Sequence, residues 1–281
     1  MPGANINFIA NSIPALDSGE YKLQVTQSLA STVATGIYFS APVVQTFHVD
    51  APQFVLSAAE VGPRLPGHNA IGQFGWVLPQ VQLNRKTLPW ERVMSTSNRD
   101  TPWMALIVLR DSELVLNPLT RGPIFNATVG TIGTVPSDVF WPNLSHDCLL
   151  EKPETPVQTM RMTLDVFKNV MPRLGDLSML SHTRSLHPEP GNRQGDTDRD
   201  IAVITANRFP PASATGRCHC FLVSVEGYAN YLVDSPAFGN KSKVQLAVLQ
   251  YWTFVSQPMD HSGFLGGLSA MNTDQWLLRV P

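Results

Sequence analysis

The chain has 281 residues, 43% of them hydrophobic, which is enough for one large or two modest cores and too apolar for wholesale disorder. A net charge of -2 with no long basic run leaves no electrostatic footprint for nucleic acid, and three cysteines cannot make a disulfide framework. Only 15% of residues are charged, against roughly 25% in ordinary soluble domains. That deficit suits either a surface rich in Ser, Thr, Asn and Gln or a subunit that buries surface against partners.

The N-terminal "MPGANINFIANSIPALDSG" has no charged segment followed by a long apolar one, so no signal peptide is expected. No window approaches the roughly 18 unbroken apolar residues of a membrane span. With few cysteines and no leader, the expected location is the cytoplasm. The 23 prolines fall mostly between apolar runs, which predicts short elements joined by stiff loops.

Three strands are predicted in the first fifty residues. Ile6 and Phe8 alternate with Asn5 and Asn7. In "DSGEYKLQVT", Tyr21, Leu23 and Val25 alternate with Lys22, Gln24 and Thr26. In "VVQTFHV" (43–49), Phe47 and Val49 oppose His48. The D-x-G-x-Y pattern is similar to the tyrosine corner of an immunoglobulin-like sandwich, but Tyr21 comes too early in the chain for that position. Three strands cannot close a sandwich, so this part must lean on the rest of the chain or on a neighbour.

Residues 53–103 are broken by Gly and Pro, with only "PQVQL" strand-like, and a loop region of this length points to function or to a contact surface. "MALIVL" (104–109) has the continuous apolar character of a central strand buried on both faces. "TMRMTLDV" (159–166) alternates, and the steps Phe167, Val170, Met171, Leu174, Leu177 and Leu180 then predict two short helices broken near Pro172. "HTRSLHPEPGNRQGDTDRD" (182–200) is polar and predicts a loop. "IAVITA", "CFLVSVE" and "VQLAVLQYWTFVS" are further strands. In the last, alternation puts Leu246, Val248, Trp252 and Phe254 on one face and Leu249, Tyr251 and Val255 on the other. Phe264, Leu265, Leu268 and Met271 suggest a closing helix before "QWLLRVP".

Catalytic signatures are missing from the sequence. There is no G-x-S-x-G elbow, no Walker A loop and no G-x-G-x-x-G. In "RCHCF", Cys218 and Cys220 face one way on a strand and His219 the other, which is not zinc-ligand spacing. His146, Asp147 and Cys148 are adjacent and point apart. Asp196, Asp198 and Asp200 begin like a calcium loop, but the Gly and the closing Glu are missing. An enzyme would have to assemble a site from distant residues such as His68, Asp147 and Cys148. The expectation is no enzyme, no metal and no cofactor. The sequons at Asn126, Asn143 and Asn240 carry no weight without a secretory route. Six tryptophans, among them Trp76, Trp90, Trp103, Trp141, Trp252 and Trp276, could line a carbohydrate platform. Those that follow Pro beside apolar strands suit core or interface anchoring better.

The densest mixed-charge stretch is "NRKTLPWER". It predicts a contact loop in which Trp90 fills a pocket while Arg85, Lys86, Glu91 and Arg92 set register, with the 183–200 loop as a second surface. The ordered motifs "FGWVLPQVQLNRKTLPWER", "TPWMALIVL", "ANRFPPASATGRCHCFLVSVEGY", "LQYWTFVS" and "GLSAMNTDQWLLRVP" resemble an uncharacterised, baseplate-associated structural family. That family is encoded in the gene clusters of phage-tail-like extracellular contractile injection systems. The resemblance runs over residues 53–281 and departs at Asn207, Arg208, Phe209, Pro210, where the family suggests N-R-L-P. It implies a structural subunit assembled in the cytoplasm with baseplate, sheath or spike proteins and with copies of itself in a ring.

The fold expected is mainly β, α+β: a small N-terminal β part with Ig-like strands (1–52) on a larger mixed-sheet domain with a few short helices (53–281). The alternative function is an Ig-like module that binds glycan or a cell surface.

Overall fold

The computed structural model describes residues 5–13, 15–16, 18–26, 43–94, 99–144, 151–187 and 199–258. In chain order the strands begin with β1 (Asn5–Ala10), β2 (Gly19–Val25), β3 (Val43–Val49), β4 (Val61–Leu65), β5 (Ile71–Gly72), β6 (Gln80–Leu83) and β7 (Met104–Arg110). β8 (Phe125–Thr128), β9 (Val139–Phe140) and β10 (Pro156–Thr163) lead into α1 (Leu164–Val170) and α2 (Leu174–Leu177). β11 (Ser181–His187), β12 (Arg199–Thr205), β13 (Gly216–Ser224) and β14 (Lys243–Ser256) complete the described elements. The fold is mainly β with several antiparallel sheets, as the alternation predicts.

One sheet has the order β1-β11-β12-β6-β4. A second runs β7-β13-β14-β10-β8, with β5 and β9 added in parallel at the two ends of β14. One core cluster joins them, taking Val81, Leu83, Ala202 and Ile204 from the first sheet and Leu106, Met160, Leu222 and Leu246 from the second. The predicted helices form and break at Pro172. The Thr163 hydroxyl caps α1 by accepting from the Val166 N–H. The closing helix at 264–271 and the "QWLLRVP" stretch lie outside the described residues.

Five local expectations change. The three N-terminal strands do not form one sheet: β2 and β3 pair in a sheet of their own, while β1 pairs with β11. The 182–200 loop is shorter than expected because its first residues are β11, with Ser181 and Thr183 buried. The signal is weak there because these are small polar residues whose backbone is paired on both sides, by β1 and β12. "VGPRL" forms β4 despite Pro63, since it is an edge strand with an irregular register between Val61 and Arg64. β7 is buried on both faces but ends its sheet rather than lying inside it.

The longest strand contains the fifth difference. Leu222 pairs with Gln250 and Val223 with Val248, so Leu249 is an extra residue in β14. A bulge of one residue reverses the alternation beyond it. Leu246 and Val248 therefore share their face with Tyr251, and Trp252 and Phe254 turn to the other. Phe221, opposite Tyr251 in register, stacks on it at 4.8 Å.

On the Trp252 face, Cys218 and Cys220 are fully buried. Burial pushes the Cys218 thiol up to about 11 and Cys220 well above its usual value. In a Cys148→Ser background at pH 8, neither thiol should react with Ellman's reagent until urea unfolds the chain. Rapid labelling of the native protein would show that this face is open.

Candidate functional site

The contact loop expected around Trp90 follows β6. A 3-10 turn, Leu88–Trp90, carries Pro89 in its first turn and all three of its residues are buried. Trp103 locks the turn: its amide donates to the Pro89 carbonyl at 2.9 Å and its indole N–H to the Leu88 carbonyl at 2.7 Å. Trp90 is 2% exposed and donates its own indole N–H to the Asp100 carbonyl. It fills a pocket of its own chain, which corrects the expectation that it anchors a partner.

Glu91 and Arg92 are buried as well. Arg85 bridges Glu60 at 2.5 Å and Glu91 at 3.1 Å, and Lys86 bridges Asp200 at 2.7 Å. Arg85 and Lys86 are exposed enough to meet a neighbour; Trp90, Glu91 and Arg92 serve the interior. Of the second surface expected at 183–200, residues 188–198 lie outside the described residues.

Arg92 performs a different task from the one its sequence context suggests. Its Nε and Nη2 form a bidentate pair with Glu226, at 2.6 and 3.0 Å. Its Nη1 donates to the Ser18 hydroxyl and to the Ala51 carbonyl, at 3.4 and 3.3 Å. Ser18 immediately precedes β2 and Ala51 closely follows β3, so one guanidinium holds both feet of the β2–β3 ribbon. The Ser18 amide adds a bond to the Glu91 carbonyl. Glu226 is fixed in turn by the Gln53 side-chain amide at 3.0 Å and sits before Gly227, whose φ is +80°. A Cβ at Gly227 would come within 2.5 Å of Leu144, so the turn that presents Glu226 needs glycine there. Glu151 accepts from the amides of Gln53, Phe54 and Val55, tying down the chain that leaves the ribbon.

Beyond those feet the ribbon is open. Tyr21 pairs with Phe47 and stacks on it at 5.5 Å near the base. Further out, Leu23, Val25 and Val43 follow on the same face and are 57, 58 and 67% exposed. The opposite face carries Glu20, Lys22, Gln24, Thr46 and His48, with an ion pair between Lys22 and Glu20, and the exposed Val44 opposite Gln24. One face of the ribbon is thus mostly polar and the other mostly apolar, interrupted by Gln45 opposite Leu23, and among the described residues nothing covers the outer apolar part.

The sheet edges are unequal in a way that bears on contacts. β4 is blunted by Pro63 and its irregular register. β7 is sealed by Arg208, which reaches the Val108 carbonyl and clasps Glu113 bidentately at 2.8 Å. Burial pushes the Glu113 carboxyl up, and the hydrogen bonds and charges of Arg208 and Arg110 together more than offset it, leaving it below its ordinary value. β1 has neither device. "NINFIA" carries no charge and no proline, and Phe8 is 62% exposed.

The other candidates have ordinary structural roles. His219 is engaged at both ring nitrogens, by Asp111 at 2.7 Å and the Tyr251 hydroxyl at 2.8 Å. His68 accepts from the Thr253 amide. Asp147 and Cys148 lie outside the described residues. Trp103 and Trp252 are buried like Trp90, Trp141 is half-buried and Trp76 is exposed, so the described tryptophans do not form a platform. Among the described residues there is no group of three or more His, Cys, Asp or Glu placed to hold a metal, and no helix long and apolar enough to cross a membrane.

No protein-family model matches the chain, and no curated protein or solved structure is significantly similar to it. Sequence reasoning missed Glu226, because a partner 134 positions from Arg92 leaves no local signal. It put Leu23 and Val25 on one face of a strand that had to lean on the rest of the chain or on a neighbour, since alternation marks an apolar face without saying what covers it.

Removing Arg92 leaves Glu226 mostly buried without its cation. Arg92→Met should cost about 3 kcal/mol in urea unfolding, seen as a lower midpoint. A change under about 0.5 kcal/mol, the size of a neutral surface substitution, would show that the pair does not hold the ribbon.

Proposed function

We propose that the chain is a structural subunit of a contractile injection particle, associated with the baseplate, and that it acts by protein–protein contact through the β2–β3 ribbon. The observation that carries this reading is the outer apolar face of the ribbon. A two-stranded ribbon is marginal by itself in water. This one is held firmly at its feet and presents Leu23, Val25 and Val43 to solvent. An element of this kind gains its missing contacts from a neighbour.

Two further observations support it. The chain carries little charge for its size. The β1 edge, with Ile6, Phe8 and Ile9 exposed, offers a row suited to strand addition. The particle itself comes from the motif resemblance, and the partners it implies are baseplate, sheath or spike proteins and further copies of this chain, assembled in the cytoplasm.

The test is a tagged copy purified gently from its own host, with the native mass measured and the material imaged. The wild-type chain should travel with sheath, tube and baseplate proteins as long particles. Leu23→Lys combined with Val43→Lys should leave the melting temperature within about 2 °C, as surface substitutions do, and drop the chain out of the particles. A wild-type protein recovered as a lone monomer would defeat the reading. A ribbon variant that still incorporates normally would remove the ribbon from it.

A further inference from the structure

A cavity of about 430 Å³ opens on the face of the second sheet opposite α1, over β8, β10 and β14. Its floor is set by register: Thr159 stands between Phe125 and Ala247, and Arg161 beside Gln245. The Leu119 and Thr134 loops wall it.

Arg161 is the feature that calls for an explanation. Its guanidinium lies over the Phe125 ring, 4.4 Å from the centroid. Its Nε donates to the Gln245 side-chain oxygen at 3.0 Å. Gln245 is itself fixed, buried, with its amide donating to the Ile132 carbonyl at 2.8 Å. The arginine is therefore held in one orientation from two sides. Among the described residues, its two Nη groups have no hydrogen-bond partner and no carboxylate forms an ion pair with it. The nearby acid, Asp138, is committed to Lys243 at 2.8 Å and to the Ser242 hydroxyl at 2.9 Å.

A half-buried, oriented guanidinium with an unused fork is an unbalanced arrangement. Burial draws the pKa of Arg161 down from its ordinary value, with Asp138 opposing, so the site bears a desolvation cost that an incoming anion would offset. We propose that this cavity binds a small monocarboxylate, held end-on by the two Nη groups of Arg161. Because Nε is taken by Gln245, the side-on bidentate geometry is closed and the Nη1/Nη2 edge remains. One cation beside one acid suits a single negative charge better than the near-double charge of a phosphate. The size lies within the range of small-molecule pockets, roughly 300–1,000 Å³. Thr134 and Asn126, which line the cavity, can meet a hydroxylated body. The inference is independent of the ribbon, which lies on other strands.

The test is calorimetric titration of the full chain with sodium acetate, L-lactate and D-glucuronate, with glucose and the methyl ester of glucuronic acid as neutral controls. At least one acid should bind saturably, with a Kd on the order of 1 mM for a single charge-assisted fork, and the neutral controls should not. Arg161→Gln should weaken that acid by about tenfold or more, and Arg161→Lys should recover only part of it. The comparison of acid with ester uses the wild-type protein alone, so it stands even if a variant fails to fold. The proposal is overturned if none of the three acids saturates, if the ester binds as well as the acid, or if Arg161→Gln binds unchanged.

Discussion

The bidentate pair between Arg92 and Glu226 is the constraint on which the functional reading of this molecule depends. It joins four separate stretches of chain: the loop after β6, the turn after β13 and the two feet of the β2–β3 ribbon. A buried ion pair adds little net stability compared with a hydrophobic filling of the same space. Its value here is geometric, because a planar fork with a spare Nη can hold the Ser18 hydroxyl and the Ala51 carbonyl at once. The ribbon's root is thereby set on the body while its outer face stays open.

Much of the fold was legible in the sequence, for reasons that particular elements make clear. "MALIVL" and "IAVITA" are continuous apolar runs, and burial on both faces follows from that composition. "TMRMTLDV" passes from period two to helical steps, and Thr163 and Pro172 mark where α1 starts and where it must stop. What could not be read depends on partners distant in the chain. β1 pairs with β11 rather than with its sequence neighbours. The bulge at Leu249 has no composition of its own, yet it reverses the face of every residue beyond it. Ser181–His187 is a strand because both its edges are paired, not because its side chains favour one.

The site was less legible than the fold. "NRKTLPWER" draws attention because charge and an aromatic residue crowd together, and that crowding has an interior cause. Trp90 completes the core beneath Trp103, and the charges around it are satisfied within the chain. Leu23, Val25 and Val43 carry only the alternation of any strand. Their exposure depends on the absence of a covering layer among the described residues, which no local pattern states. Edge chemistry follows from residues whose place in a sheet the sequence does not state: Pro63 blunts β4, while the uncharged "NINFIA" leaves β1 open.

The central claim is that the ribbon is a firmly rooted contact element completed by a neighbouring chain. Amide hydrogen exchange tests this most directly, measured on the isolated protein and on the proposed particle. The account predicts that amides in Gly19–Val25 and Val43–Val49 exchange readily in the isolated chain and become strongly protected in the particle. Unchanged exchange across both strands, with new protection confined to other surfaces, would contradict it.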